Sequence, residues 1–169
     1  MSTGIKQLSK KLRKMDEVFL NELDRNDWQR IIKSFQQNVT NRVIEIAVKK
    51  QPPEIYSING KEIINKLESR RKGLMKNVMK YYSFLAKKVI IRGSGKSEFF
   101  KVLNMDHKTN VSVYDYSNGD TSKKIYSRWF DTEETKTICI EGLEGGDHCQ
   151  VEGEKNNIKL IFKEKKKSL

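Results

Sequence analysis

From Ile5 to Leu23 apolar residues recur every third or fourth position, at Ile5, Leu8, Leu12, Met15 and Phe19, which is the spacing of one helix face. Asn26-Asp27-Trp28-Gln29 has the form of a cap, with a polar acceptor followed by glutamine three residues later. It predicts a short second helix through Ile31, Ile32 and Phe35. Thr40 is placed to cap a third helix carrying Val43, Ile44, Ala47 and Val48. Pro52-Pro53 stops that helix, because proline lacks the backbone donor and restricts the residue before it. Asn59 then predicts the start of the longest helix, running to about Lys88 with a stripe of Ile63, Leu67, Leu74, Val78, Tyr81 or Tyr82, and Leu85.

After Lys88 the pattern changes. Val89–Arg92, Glu98–Leu103, Val111–Tyr116, Ile125–Phe130 and Thr137–Ile140 are rich in β-branched and aromatic residues, with turn signals at 93–95, 118–120 and 145–146. Ile158, Leu160 and Phe162 alternate with Lys159 and Lys163, predicting a last strand with one wet face. Helices first and strands afterwards argue for an α+β fold: three to four helices in 1–88, an antiparallel β-rich lobe in 89–163, and a basic tail in 164–169, together one structural unit. The length of 169 residues suits one such domain.

Charge sharpens the division between the halves. Of a net charge of +12, residues 1–90 carry +11 (20 Lys+Arg against 9 Asp+Glu), and residues 91–169 only +1. Lys61, Lys72, Lys76 and Lys80 fall off the apolar stripe of the long helix and form a basic face, the candidate binding surface. A lysine-rich solvated surface is the plainer reading of the same residues. Arg71 lies on the apolar side, four residues after Leu67 and three before Leu74. Either a carboxylate or backbone carbonyls meet it, since an unpaired interior charge is costly, or Gly73 breaks the helix and turns it to solvent.

Most candidate chemistry fails on spacing. Gly93-Ser94-Gly95-Lys96-Ser97 lacks the first glycine of a phosphate loop, whose place is taken by Ile90, and a strand follows it where a helix is needed, so a hairpin turn is expected. Asp106-His107 and Asp147-His148 hold the only two histidines, too few for a binuclear metal centre. Gly142-Leu143-Glu144-Gly145-Gly146-Asp147 approaches a calcium nonapeptide in a single copy, with Asp147 as the weak ligand candidate; a tight turn is the structural alternative. Cys139 and Cys149 have no metal or redox spacing. Tyr81, Tyr82 and Phe84 accompany the basic face, but they lie on or beside the apolar stripe, which disfavours nucleic acid. No catalytic residue, metal or cofactor is expected. The start of the chain lacks a signal-peptide pattern and no run approaches a membrane span, which points to the cytoplasm if the chain is complete.

Several motifs in order carry a more specific likeness. These are Val43-Ile44-Glu45-x-Ala47-Val48, Pro52-Pro53-Glu54-Ile55-Tyr56, Gly60-Lys61-Glu62-Ile63-Ile64-x-Lys66-Leu67-x-x-Arg70-Arg71, and Tyr81-Tyr82-x-Phe84-Leu85-Ala86-Lys87-Lys88-Val89. Glu98-Phe99-Phe100-x-Val102, Tyr126-Ser127-Arg128-x-Phe130, Glu134-Thr135-Lys136 and Gly142-Leu143-x-Gly145-x-Asp147 continue the series. Together, over roughly residues 16–153, they resemble the connecting region of Bacteroidetes-type envelope proteins, which join a calcineurin-like metallophosphoesterase domain to a surface-antigen-type outer-membrane β-barrel. The resemblance implies a non-catalytic structural or interaction module in the cell envelope. Its partners would be an acidic protein surface or neighbouring domains of a larger envelope protein, with the membrane touched only peripherally. The alternatives are a basic-surface binder of nucleic acid or anionic membrane, and a fragment of a metal-dependent phosphoesterase.

Overall fold

The computed structural model describes residues 12–142 and 145–164, and the chain divides into two compact units. Residues 25–82 form a helical unit. The residues before Arg25 join those from Ser83 onward in a β unit, so the first helix belongs with the strands and not with the other helices. The fold is α+β, with helices early and strands late.

In the helical unit, α2 (Arg25–Asn38) begins one residue ahead of the expected cap at Asn26, which therefore lies inside the first turn. Thr40 does cap α3 (Asn41–Val48): its hydroxyl accepts from the Val43 amide at 3.3 Å. Asn59 caps nothing. A turn at Pro53–Ile55 and a wide π turn at Tyr56–Gly60 run directly into α4 (Lys61–Ala86), so Asn59 lies within a continuous helical path. Pro53 sits in the first turn of that path, where its missing donor costs nothing. The π turn depends on Gly60, because a β-carbon there would come within 2.3 Å of the Tyr56 ring. The unit packs around Ile32, Ile44, Val48, Tyr81 and Tyr82, with the Trp28 ring 6.4 and 5.8 Å from the two tyrosine rings.

Arg71 ties three helices of this unit together. Gly73 does not interrupt α4, and the Arg71 guanidinium donates to the Gln36 carbonyl (2.7 Å) and to Asn41 Oδ1 (3.2 Å). The Gln36 side chain returns the contact, donating to the Arg71 carbonyl at 2.7 Å. Gln36 lies in the last turn of α2, whose carbonyls have no partner within the helix, and Asn41 opens α3. Of the two expected kinds of partner, carboxylate or backbone carbonyl, the structure shows a carbonyl, joined by the side-chain amide oxygen of Asn41.

The β unit contains α1 (Arg13–Phe19) and seven strands: β1 (Lys88–Arg92), β2 (Glu98–Asn104), β3 (Lys108–Asp115), β4 (Lys123–Asp131), β5 (Thr137–Gly142), β6 (His148–Glu152) and β7 (Lys159–Glu164). The part of the predicted first helix before Leu12 lies outside the described residues. The lobe is not wholly antiparallel. One sheet, β1-β5-β7, is parallel throughout; the other, β4-β3-β2-β6, is antiparallel except for the parallel pair β2–β6. The sequence carried this signal in Val89-Ile90-Ile91 and Ile138-Cys139-Ile140, uninterrupted apolar runs that suit a strand covered on both faces. β1 and β2 lie in different sheets, so Gly93–Ser97 is a crossover loop and not the expected hairpin turn. The turn at 118–120 does join a hairpin, β3–β4. The inner faces share one core that includes Phe100, Val102, Val111, Phe130, Ile138 and Ile140.

One side of this sandwich is latched by the segment after α1. The Asn21 amide donates to the Ile90 carbonyl of β1 at 2.8 Å, while the Asn21 carbonyl accepts from the Tyr126 hydroxyl (3.2 Å) and from the Arg128 guanidinium of β4. Arg128 also lies over the Phe130 ring, 4.7 Å from its centre. Burial holds the Tyr126 phenol well above its ordinary value, which keeps the hydroxyl protonated as a donor.

Replacing Arg71 with alanine removes a charged donor from two helix termini. A loss of about 2–3 kcal/mol is expected in urea unfolding followed by far-ultraviolet circular dichroism, with a smaller loss for Arg71→Lys, which keeps the charge but not the fork. An unchanged midpoint for both variants would remove Arg71 from this role.

Candidate functional site

The predicted basic face is real as geometry. At about 100° per residue, Lys61, Lys72, Lys76 and Lys80 fall within an arc of about 100°, and they extend along about 28 Å of α4. All four are exposed. Tyr81, Leu74 and Val78, which are buried or half-buried, project from the opposite side. Among the described residues none of the four lysines is in an ion pair, whereas Lys66 and Lys49 are held by Glu62 and Glu45 one turn away. The ridge therefore presents four uncompensated ammonium groups on a unit that itself carries 13 Lys+Arg against 5 Asp+Glu. Tyr81 and Tyr82, which stacking on nucleobases would require at the surface, are 6% and 3% exposed.

A second cluster lies in the β unit, where the two glycine-rich segments singled out by sequence meet. Asp147 Oδ1 accepts from the Glu98 backbone amide at 3.0 Å, and Ser97 Oγ donates to the Gly146 carbonyl at 2.9 Å. Gly145 and Gly146 take positive φ values of 129° and 79°, and a β-carbon on Gly145 would strike the Lys96 carbonyl at 2.4 Å. The Glu98 carboxylate, 3% exposed, receives the Ser94 amide at 3.1 Å on both oxygens and the Ser94 hydroxyl on one. Asp147 thus spends its carboxylate on the backbone of the neighbouring loop. Among the described residues no three His, Cys, Asp or Glu side chains gather where they would hold a metal.

The two histidines do not meet. His107 lies in the β2–β3 turn, exposed and 3.0 Å from Asp106, while His148 pairs with Phe99 at the other end of β2 and meets the Tyr116 ring edge-on. Both cysteines are free; Cys139 is buried and Cys149 exposed as a residue. Burial pushes both thiols up, Cys149 to about 11, so neither forms a ready thiolate at neutral pH. Glu141 receives Arg92 at 2.9 Å and Lys163 at 3.2 Å, and the Arg92 bond leads in holding its carboxyl below the ordinary value. Among the described residues no helix is long and apolar enough to cross a membrane.

Sequence reading missed Glu98 as a buried acid, because a glutamate opening a strand looks solvated until Asp147, far away in sequence, is brought beside it. Burial raises its carboxyl above the ordinary value; the facing Asp147 carboxyl adds to this, while the Ser94 bonds pull the other way. A carboxyl raised by folding binds its proton more tightly in the native chain. Its contribution is therefore full below the ordinary glutamate range near about pH 4 and is lost as pH rises through the native value. Glu98→Gln imitates the protonated form. The variant is expected to match the parent in urea unfolding at about pH 4 and to exceed it at about pH 7; a parent more stable than the variant at neutral pH would contradict this.

No family model, curated protein or solved structure matches the chain.

Proposed function

We propose that the protein is a non-catalytic interaction module whose helical unit offers the lysine ridge of α4 to an acidic protein surface. The observation that carries this is the alignment of Lys61, Lys72, Lys76 and Lys80 opposite the packed face of α4, with no ion pair among the described residues. Four long side chains held on one rigid helix form an extended electropositive strip, and such strips steer and orient an anionic partner more than they tighten it. Lysine, a strongly hydrated point charge, suits carboxylate-rich surfaces that stay partly wet. Burial of Tyr81 and Tyr82 removes the stacking platform that would favour single-stranded nucleic acid. In the connecting position implied by the resemblance to envelope proteins, the acidic surface would belong to a neighbouring domain.

The test compares binding of poly-glutamate and of a DNA duplex of about 20 base pairs over a salt series. Poly-glutamate is expected to bind, and Lys72→Glu/Lys76→Glu/Lys80→Glu is expected to weaken it at least tenfold without changing the melting temperature. A charge-matched control at Lys33, Lys49 and Lys50 should lose far less. Tighter binding to the duplex would replace this reading with a nucleic-acid one. Equal losses for the two triple variants would reduce the ridge to general surface charge.

A further inference from the structure

We propose that the open side of the β sandwich, between β6 and β7, is a docking groove for an extended peptide strand that pairs with the edge of β6. This site lies in the β unit and does not depend on the lysine ridge.

The two sides of the sandwich are finished differently. Asn21 bridges the edge strands β1 and β4 on one side. On the other, β6 ends one sheet and β7 ends the other, with no pairing between them. Among the described residues no hydrogen bond engages the β6 backbone on the side away from β2. A row of free amides and carbonyls at strand spacing is completed by another strand, not by a helix.

The side chains facing this gap are those of an unfinished core. In register, Cys149 and Val151 of β6 continue the rows of Phe100 and Val102, and Leu160 and Phe162 of β7 continue those of Ile138 and Ile140. Phe100, Val102, Ile138 and Ile140 are at most 3% exposed, yet Val151 is 47% and Phe162 46% exposed. These are core-facing positions left about half exposed. A strand beside β6, with apolar residues at alternate positions, would place its inward side chains against Val151 and Phe162.

Charge selects the occupant further. The cleft between the far ends of β6 and β7, about 640 Å³, is lined by Val151, Leu160, Lys155 and Lys159. Neither lysine is in an ion pair among the described residues, and Lys163 further along is already held by Glu141. The groove thus fits an apolar–polar alternating segment of five to six residues with an acidic residue at the end that abuts Lys155 and Lys159. A second copy is the poorer fit, since a chain of net charge +12 would bring the same lysines against each other.

The full chain would be titrated with a seven-residue peptide alternating valine and threonine and ending in glutamate. Two controls carry proline at the central valine or lysine at both ends. Amide exchange is expected to slow at 148–152 most with the first peptide, less with the lysine-ended control and least with the proline control. Fluorescence anisotropy should show affinity falling at least tenfold for the proline control and several-fold for the lysine-ended one. Val151→Lys should abolish the protection with its melting temperature unchanged, because that side chain is exposed. Lys159→Glu should reverse the preference between the acidic and lysine-ended peptides. No slowed exchange in β6, or unaltered binding by both variants, would overturn the proposal. So would peptide-independent protection that grows with protein concentration, which would show copies of the chain pairing with each other.

Discussion

The inner layer of the β unit is made by side chains from two sheets that are not hydrogen-bonded to each other, so only apolar packing and a few cross-links hold them face to face. Phe100, Val102, Val111 and Phe130 come from one sheet, and Ile138 and Ile140 from the other. Burial of this layer supplies the non-directional attraction. Direction comes from polar contacts at the rim: Asn21 on one side, and the meeting of residues 93–98 with residues 145–147 elsewhere. An asparagine suits the first task because its amide donates to one sheet while its own carbonyl accepts from the other. The paired loops suit the second because glycines let two backbones approach closely enough for Asp147 to reach the Glu98 amide.

The helical unit solves the same problem with a cation. A helix of 14 residues leaves several terminal carbonyls unpaired. From the middle of α4 the long guanidinium of Arg71 reaches one of them, on Gln36, and the Asn41 side chain at the start of α3. The exchange with Gln36 is reciprocal, side chain to backbone in both directions, which fixes the two helices along and around their axes. One nitrogen, Arg71 Nε, is buried without a partner, so the contact is not perfectly satisfied and depends on the packing around it. The lysine ridge is left clear of this contact, since the side of α4 that carries Arg71 is the side that packs.

Periodicity made the α+β order, the helices and six of the seven strands legible in the sequence. Met15 and Phe19 of α1 and Ile31 and Phe35 of α2, named for the apolar faces, are nonetheless exposed. Boundaries failed where a tertiary contact overrode a local signal. Asn59 has a capping residue's chemistry, but Gly60 stacked on Tyr56 lets the helix pass straight through it. Glycine-rich Gly93–Ser97 resembles a hairpin until the strands it joins are seen in different sheets. Parallel pairing was written into the apolar runs of β1 and β5, which were read for strand content and not for burial on both faces. β6 was invisible because His148-Cys149-Gln150-Val151-Glu152 is short and exposed on both faces, and so gives no strong alternation. The lysine ridge was read correctly as a face, whereas the Glu98–Asp147 contact joins residues 49 positions apart and has no local signature.

That same separation recurs in the sheets: β1 pairs with residues 49 positions later in β5, and β2 with residues 49 positions later in β6. The β2-β3-β4 meander is built from neighbours and can assemble as soon as it leaves the ribosome. β1 has no such neighbour, and its parallel pairing must wait until β5 has been synthesised and the intervening loop has closed. The apolar run Val89–Ile91 therefore spends the interval of meander formation without its partner. The Asn21–Ile90 bond, by contrast, joins two segments that both precede β5 in the chain, so its partners do not have to wait for that late pairing.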